Sequence, residues 1–433
     1  MKKSTLEAIE YGITVFGLVL YSGAVLVLVL NGGINEGDAE WDLPNDNAVV
    51  KQCYLVFYLI TLIMLSCRWQ KTLYVINANL SVFIFIGLVT ASINWSSAPN
   101  LTSTRAVAFL GTNLFGLYLA SRYTIKQQVV LITQAFGIIV LLSMIFVLIF
   151  PKYGMMGGIH VGAWRGVYNH KNGLGKWMVL STAIFFLQSI RNPKTHIWIY
   201  LGLIFSTLLL VMSKSSSSIV NLLVVGIVFS ILKTWRWNYL VMVPATFLIT
   251  LLGSGFLLWF NSNSAMLFDS VGKDATLTGR TELWSLAFDF ACRKPFFGYG
   301  YGGFWEKPNG AAMEIWQSIN WQAPNAHNGF LDLFLGLGLS GIVIIGISFL
   351  NTFIQSTICL RRGKTSDEFW PLIFMIYFVL SNLSESALML QNELFTVIYI
   401  SLACSTKIQN SPRAVSIVHG DIIQAEASAS QSN

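Results

Sequence analysis

Charge is what this sequence has least of. Only 11% of its 433 residues are Asp, Glu, Lys or Arg, against about 25% in an ordinary soluble domain. So little charge excludes a domain that covers its whole surface with water. Cysteine is also scarce. Cys53, Cys67, Cys292, Cys359 and Cys404 are scattered, and no pair has metal-ligand spacing. That excludes a disulfide framework and a zinc site. The basic start MKKSTLEAIEYG leads into a long apolar run with no small-residue cleavage site, which predicts a retained first helix and not a cleaved signal. There is no clear internal repeat.

What the chain has instead is apolar length. Hydrophobic residues make up 54% of it, and mean hydropathy is +0.62. Runs of roughly 20 residues recur from end to end, enough to cross a hydrocarbon core about 30 Å thick. A transmembrane β-barrel would show short alternating segments instead. The expected fold is an all-α polytopic membrane protein of about twelve spans, at 11–31, 48–67, 73–93, 105–121, 128–150, 174–190, 197–213, 218–233, 239–260, 328–350, 369–389 and 393–407. With the N-terminus inside, the loops RWQK (68–71), RYTIK (122–126), RNPK (191–194), KTWRW (233–237) and RRGK (361–364) are cytoplasmic, and each carries at least two basic residues. The first external loop, NEGDAEWDLPND (35–46), is acidic. This pattern follows the positive-inside rule and puts both termini in the cytoplasm. It also accounts for the net charge of +7 without invoking nucleic acid. The membrane domain then spans 1–407, and the polar tail 408–433 reads as disordered.

The remaining outer-face segments hold almost all the unusual chemistry. They are 94–104, 151–173, 214–217 and a large loop, 261–327, between the ninth and tenth spans. In or beside them lie Arg105, Arg165, His170, Lys171, Lys214, Arg280 and His327. Arginines on that face are not needed for topology, so they imply an anion, and the guanidinium fork suits phosphate. Gly166, Gly173 and Gly175 around RGVYNHKNGLG (165–175) would let backbone approach a ligand; the plainer reading of Arg165 is contact with lipid phosphate. Lys214 in SKSSSS (213–218) either snorkels to headgroups or adds charge to a site, and the serines permit close helix approach. EGDAEWD (36–42) is a solvated acidic loop or a divalent-metal site; no histidine or second acidic cluster supports the metal. The run 279–295 has helical spacing of Leu283, Leu286 and Phe290 and should lie on the interface or cap the bundle. GYGYGG (298–303) lacks the βαβ setting of a dinucleotide site. It reads as an interfacial aromatic cluster on a flexible loop or as a platform for sugar rings. His327 opens HNGFLDLFLGLGLSG beside Asn325 and Asn328, and Asp332 behind it should have a partner, since an unpaired carboxylate there is costly.

Three stretches, RGVYNHKNGLG, LTGRTELW with KPFFGYGYGGFW, and NAHNGFLDLFLGLGLSG, resemble the signature regions of the O-antigen ligase and polymerase superfamily, in its order. His327-Asn328, nine residues, then Gly338 and Gly341 fit its His-Asn and Gly-x-x-Gly spacing, and NWSSAPNLTSTR (94–105) is similar to its outer segment ending in Arg105. The HKN form is most similar to exopolysaccharide polymerases. The resemblance implies a GT-C-like membrane glycosyltransferase of the bacterial inner membrane. It would act without metal or cofactor on a polyprenyl-diphosphate-linked glycan and an acceptor glycan, with a chain-length regulator and a flippase as candidate partners. It implies catalytic roles for Arg165, Arg280 and His327. Arg105, His170, Lys171, Lys214 and Asn328 are expected in substrate and diphosphate binding. Cations would stabilise the leaving diphosphate, and His327 would act as base on the acceptor hydroxyl. A polymerase, a ligase to lipid A core or protein, and a transporter are the competing readings. A transporter would place its ionisable residues at mid-membrane depth within internal repeats.

Overall fold

The structure, a computed structural model, describes residues 3–24, 48–191, 196–268, 278–306, 311–320, 322–418 and 420. The acidic stretch 35–46, with EGDAEWD, lies outside the described residues, as do the end of the first expected span and most of RNPK. Apolar runs of this length must satisfy their own backbone hydrogen bonds, and a helix does so within the segment. Among the described residues no strand forms; there is one isolated bridge, Met155 to Trp164.

The helices are α1 (Lys3–Tyr21), α2 (Ala48–Ser66), α3 (Trp69–Ala78), α4 (Leu80–Ala91), α5 (Pro99–Arg122), α6 (Ile125–Ile149), α7 (Lys171–Arg191), α8 (Ile197–Met212), α9 (Ser216–Thr234), α10 (Tyr239–Phe268), α11 (Thr278–Arg293), α12 (Ala312–Ile319), α13 (Gly329–Arg362), α14 (Trp370–Asn382) and α15 (Leu394–Gln409). Each expected span falls on one of these, or on the α3–α4 pair, which bends by 91° at Asn79. Among the described residues six helices are long and apolar enough to cross a membrane, or seven if the bent pair is one span, so the expected count of twelve is not confirmed. α15, at 16 residues, is too short to count among them; it is buried from Leu394 to Thr406 and packs along α5.

One end of the bundle is tied by ion pairs among the basic loops. Glu10 accepts from Arg68 at 2.8 Å and from Arg122 at 3.3 Å. Arg191 pairs with Asp367 at 3.4 Å, and Arg236 with Glu368 at 3.4 Å. Thr124 and Gln127 form a capping box that starts α6 in the same region, satisfying two otherwise orphaned amides. In the tail 408–433, residues 412–418 are helical, and Ala414 and Val418 are buried. The rest of that tail, apart from residue 420, lies outside the described residues.

At the other end, α13 is broken at Gly338, where φ is 64° and ψ −161°. The stretch 295–303 enters the break. Leu339 N donates to Pro295 O at 2.7 Å and Ser340 N to Phe296 O at 3.1 Å, while Tyr299 N donates to Leu335 O at 2.8 Å. The insert thus supplies partners that the interrupted helix lacks. Gly298, Gly300 and Gly302 all have positive φ, the turns that let it fold back on itself. Tyr299 and Tyr301 are buried, with hydroxyls on Phe290 O and Met389 O. GYGYGG is therefore a packed plug. That corrects both earlier readings: buried rings cannot form an interfacial belt or an open sugar platform. α11 behaves as a cap and packs on α13 and α12, burying Leu283, Ala287 and Phe290.

Candidate functional site

The polar residues singled out by sequence lie around the plug and the loops beside it. Arg165 sits between α6 and α7 and is 5% exposed. Its Nε donates to Tyr153 O at 2.8 Å and its Nη2 to Lys152 O at 3.2 Å. Main-chain carbonyls thus help to fix the guanidinium. Gly166 has φ 57°, and a Cβ on it would press on Ser143 Oγ at 2.8 Å. A Cβ on Gly175 would press on Ser218 Cβ at 2.9 Å. These two glycines make room for neighbouring protein, not for a ligand as expected, while Gly173 meets nothing closer than 3.5 Å. The close helix approach expected of SKSSSS is present at the start of α9.

His170 accepts from Asn172 N at 3.2 Å through Nδ1, and its ring lies 5.4 Å from that of His160. Lys171 is buried and begins α7, with its amide on Met156 Sδ at 3.3 Å. Lys214 reaches toward Gly162, where a Cβ would stand 3.7 Å from its ammonium. Arg105 donates to the carbonyl of Gly302, so it braces the plug. Asn328 caps α13: its Oδ1 accepts from Phe330 N at 3.1 Å and Leu331 N at 3.2 Å, an N-cap arrangement.

His327 precedes that cap with φ 48° and is 8% exposed. A left-handed histidine is uncommon, and its surroundings hold it so. Asn325 Oδ1 accepts from its amide at 2.9 Å. Asp332 accepts from Ala326 N at 3.0 Å, from Trp305 Nε1 at 2.8 Å and from the Ser386 hydroxyl. The partner expected for Asp332 is therefore a set of neutral donors that clamps the residues before His327.

Sequence reasoning missed the residue on which the site converges. Glu385 lies in the loop 383–393 between α14 and α15. Its Oε2 is 3.7 Å from His327 Nδ1, and its Oε1 is 3.8 Å from Arg280 Nη2. Asn172 Nδ2 approaches Oε1 at 3.4 Å, and Arg280 Nη1 also donates to Ser384 O at 2.6 Å. Burial pushes the Glu385 carboxyl up, but His327, Arg280 and Lys176 outweigh it and hold it below the ordinary carboxylate range. The same loop receives Lys176 on Glu393 at 2.8 Å. The signal was available: a carboxylate inside an apolar span marks a functional position by default, and the expected span 369–389 contained this one.

The structure thus joins Arg280, His327 and, through Asn172, the start of the RGVYNHKNGLG helix on one carboxylate. Arg105 and Asn328 serve as braces in this arrangement, and Lys214 stands over the 162 turn. Among the described residues no group of three or more His, Cys, Asp or Glu could hold a metal ion. The charges available at this end suit an anion and a proton acceptor.

Comparison with known proteins agrees with this inventory. The chain is similar to the exopolysaccharide production protein ExoQ of Rhizobium meliloti (strain 1021), 22% identical over 330 residues, covering 72% of this chain and 73% of that protein. Residues 201–346, from α8 through the break in α13, match the O-antigen ligase family. That stretch holds Arg280, His327, Gly338 and Gly341, and it is similar to the O-antigen ligase domain.

Proposed function

We propose that this protein is a membrane glycosyltransferase of polysaccharide biosynthesis that joins polyprenyl-diphosphate-linked oligosaccharide repeat units into polymer. The observation that carries the reading is the convergence of Arg280 and His327, from separate motifs, on half-buried Glu385. In the reaction the acceptor hydroxyl oxygen attacks the anomeric carbon of the donor sugar. The bond from that carbon to the diphosphate oxygen breaks, and the hydroxyl proton passes to His327. The diphosphate leaves carrying the negative charge, and we assign Arg280 and Arg165 to meet it, with Lys171 in support. A diphosphate is already a good leaving group, so no general acid is required. We place this chemistry on the outer face of the bacterial inner membrane, with both termini cytoplasmic and with a flippase and a chain-length regulator as partners.

The second reading is a ligase that moves glycan from the same donor to lipid A core or protein; the family match supports it. The name of the similar protein, concerned with exopolysaccharide production, supports the polymerase. The acceptor separates them. The test incubates purified protein with lipid-linked repeat units extracted from cells lacking it, with and without lipid A core. A ladder of lengthening products is expected. A single transfer to core would replace polymerase by ligase, and no product under either condition would overturn both. In the same assay His327→Ala should lower turnover by about 10²–10⁴-fold.

A further inference from the structure

We infer that the edge of the plug carries a lipid site: a groove beside Lys294 takes an acyl chain of an anionic phospholipid, with the headgroup phosphate on the Lys294 ammonium. The inference concerns the bilayer and stands apart from the proposed glycosyl transfer.

The groove follows from how the plug is tied. Pro295 O accepts from Leu339 N at 2.7 Å, and Phe296 O from Ser340 N at 3.1 Å. With the main chain held against α13, the Phe296 and Phe297 side chains are turned outward, 67% and 56% exposed. Trp95 stands across from them. Its Nε1 donates to Phe297 O at 2.9 Å, and its ring meets that of Phe297 edge to face at 5.4 Å. The cavity here is about 450 Å³, lined by Trp95, Lys294, Pro295, Phe296, Phe297 and Gly298, a size within the range of about 300–1,000 Å³ for ligand pockets.

The lining selects the occupant. A sugar needs partners for its hydroxyls. The carbonyls of Lys294, Pro295, Phe296 and Phe297 are already taken by Gly298 N, Leu339 N, Ser340 N and the Trp95 indole. The other polar side chain in the lining is Lys294. A hydrocarbon chain needs no such partners. The groove also runs on into a lipid-facing strip: Leu339, Val343 and Ile347, four residues apart on one face of α13, are all exposed.

Depth supplies the headgroup. α13 ends on Arg361 and Arg362, which mark one water boundary. Leu339 stands roughly 34 Å away along the helix at about 1.5 Å per residue, against a hydrocarbon core about 30 Å thick. The groove is thus at the opposite boundary, where phospholipid phosphates lie. Lys294 is exposed there, its ammonium 4.5 Å from the Tyr299 ring. The neighbouring Arg293 is engaged by Glu314 at 3.5 Å, so Lys294 is the cation offered to a phosphate. One lysine near the surface favours an anionic headgroup by about fivefold. The bound chain covers Phe296 and Phe297 and so braces the plug, whose far end reaches the loop 383–393 through Tyr301 on Met389 O.

The experiment places full-length protein in phosphatidylcholine nanodiscs with a trace of phosphatidylglycerol carrying a diazirine in its acyl chain. After irradiation, labelled residues are mapped by mass spectrometry. Label is expected on Trp95 and on 294–298 above the level along Val343 and Ile347. Unlabelled phosphatidylglycerol should compete about fivefold better than phosphatidylcholine. Lys294→Gln should erase that preference, and Lys294→Arg should keep it. Unchanged label along Val343 and Ile347 serves as the check that each variant is folded. Phosphatidylglycerol added to detergent-purified protein should also raise its melting temperature, and the rise should vanish in Lys294→Gln. Label in the groove no denser than along α13 means annular lipid only and overturns the inference. So does equal competition by phosphatidylcholine, or a preference that survives Lys294→Gln. Displacement of the label by polyprenyl phosphate but not by phosphatidylglycerol would overturn it in favour of the substrate's tail, and chains cross-linked through the groove would overturn it in favour of a second copy.

Discussion

Replacing Gly338 by alanine probes the joint on which the site end is built. The residue's φ of 64° and ψ of −161° lie where side-chain-bearing residues rarely go, at about 1–3 kcal/mol. A methyl there would overlap the main chain of the plug, with Phe297 N at 2.6 Å. Main chain cannot swing aside as a side-chain tip can, so the plug must back out. Three hydrogen bonds go with it, from Leu339, Ser340 and Tyr299, each worth about 0.5–1.5 kcal/mol net. The expected loss is about 3–7 kcal/mol, a large part of a typical folding stability of about 5–15 kcal/mol. The assay is the fraction of detergent-purified protein that stays monodisperse after heating. Gly346→Ala is the control: it lies in the same helix, and a Cβ there meets nothing within 4 Å. The control should melt with wild type and Gly338→Ala well below it. If the two variants melt together, the plug does not depend on the break in α13, and the account of the break is wrong.

Two further outcomes follow from the charged residues. Arg165→Lys should cut turnover on lipid-linked repeat units by tenfold or more on the order of a lost charge-assisted bond or two. A lysine keeps the charge but cannot hold both Tyr153 O and Lys152 O while presenting a planar fork; wild-type turnover in that variant would show that Arg165 meets only headgroups. Acid should destabilise the protein through Glu385. Its folded pKa is depressed, so its contribution is complete above the ordinary carboxylate value of about 4.3 and is lost as pH falls through the depressed one. Thermal stability measured against pH should drop over that window in wild type and less in Glu385→Gln; parallel curves would refute it.

Much of the helix plan was legible because a membrane-spanning run needs apolar length, and apolar length can be read directly. The amphipathic spacing of 279–295 was legible for the same reason. The number of spans was not. α14 ends at Asn382, yet its apolar residues run on to Leu390, so a span was expected through 389. That overrun hid Glu385. The break at Gly338 was only half visible: the Gly-x-x-Gly spacing marked it, but nothing local says that a stretch forty residues earlier will fill it. The glycines and tyrosines of 298–303 were misread because burial by a distant partner leaves no local pattern. Asp332 was read correctly as needing a partner, because the cost of burying a lone carboxylate does not depend on which donors meet it.

The loop 383–393 has a consequence for biosynthesis of the protein itself. Arg165 and Glu385 are 220 residues apart in the chain, and translation proceeds at roughly 5–20 residues per second. Arg280 and His327 therefore emerge before the group on which they converge. The site cannot close until α14 has been laid into the bundle, some ~10–40 s after Arg165 leaves the ribosome by that rate. A nascent or prematurely terminated chain would hold the cations and the histidine without the carboxylate on which they converge. Completion of the chain is thus a condition for the arrangement to form.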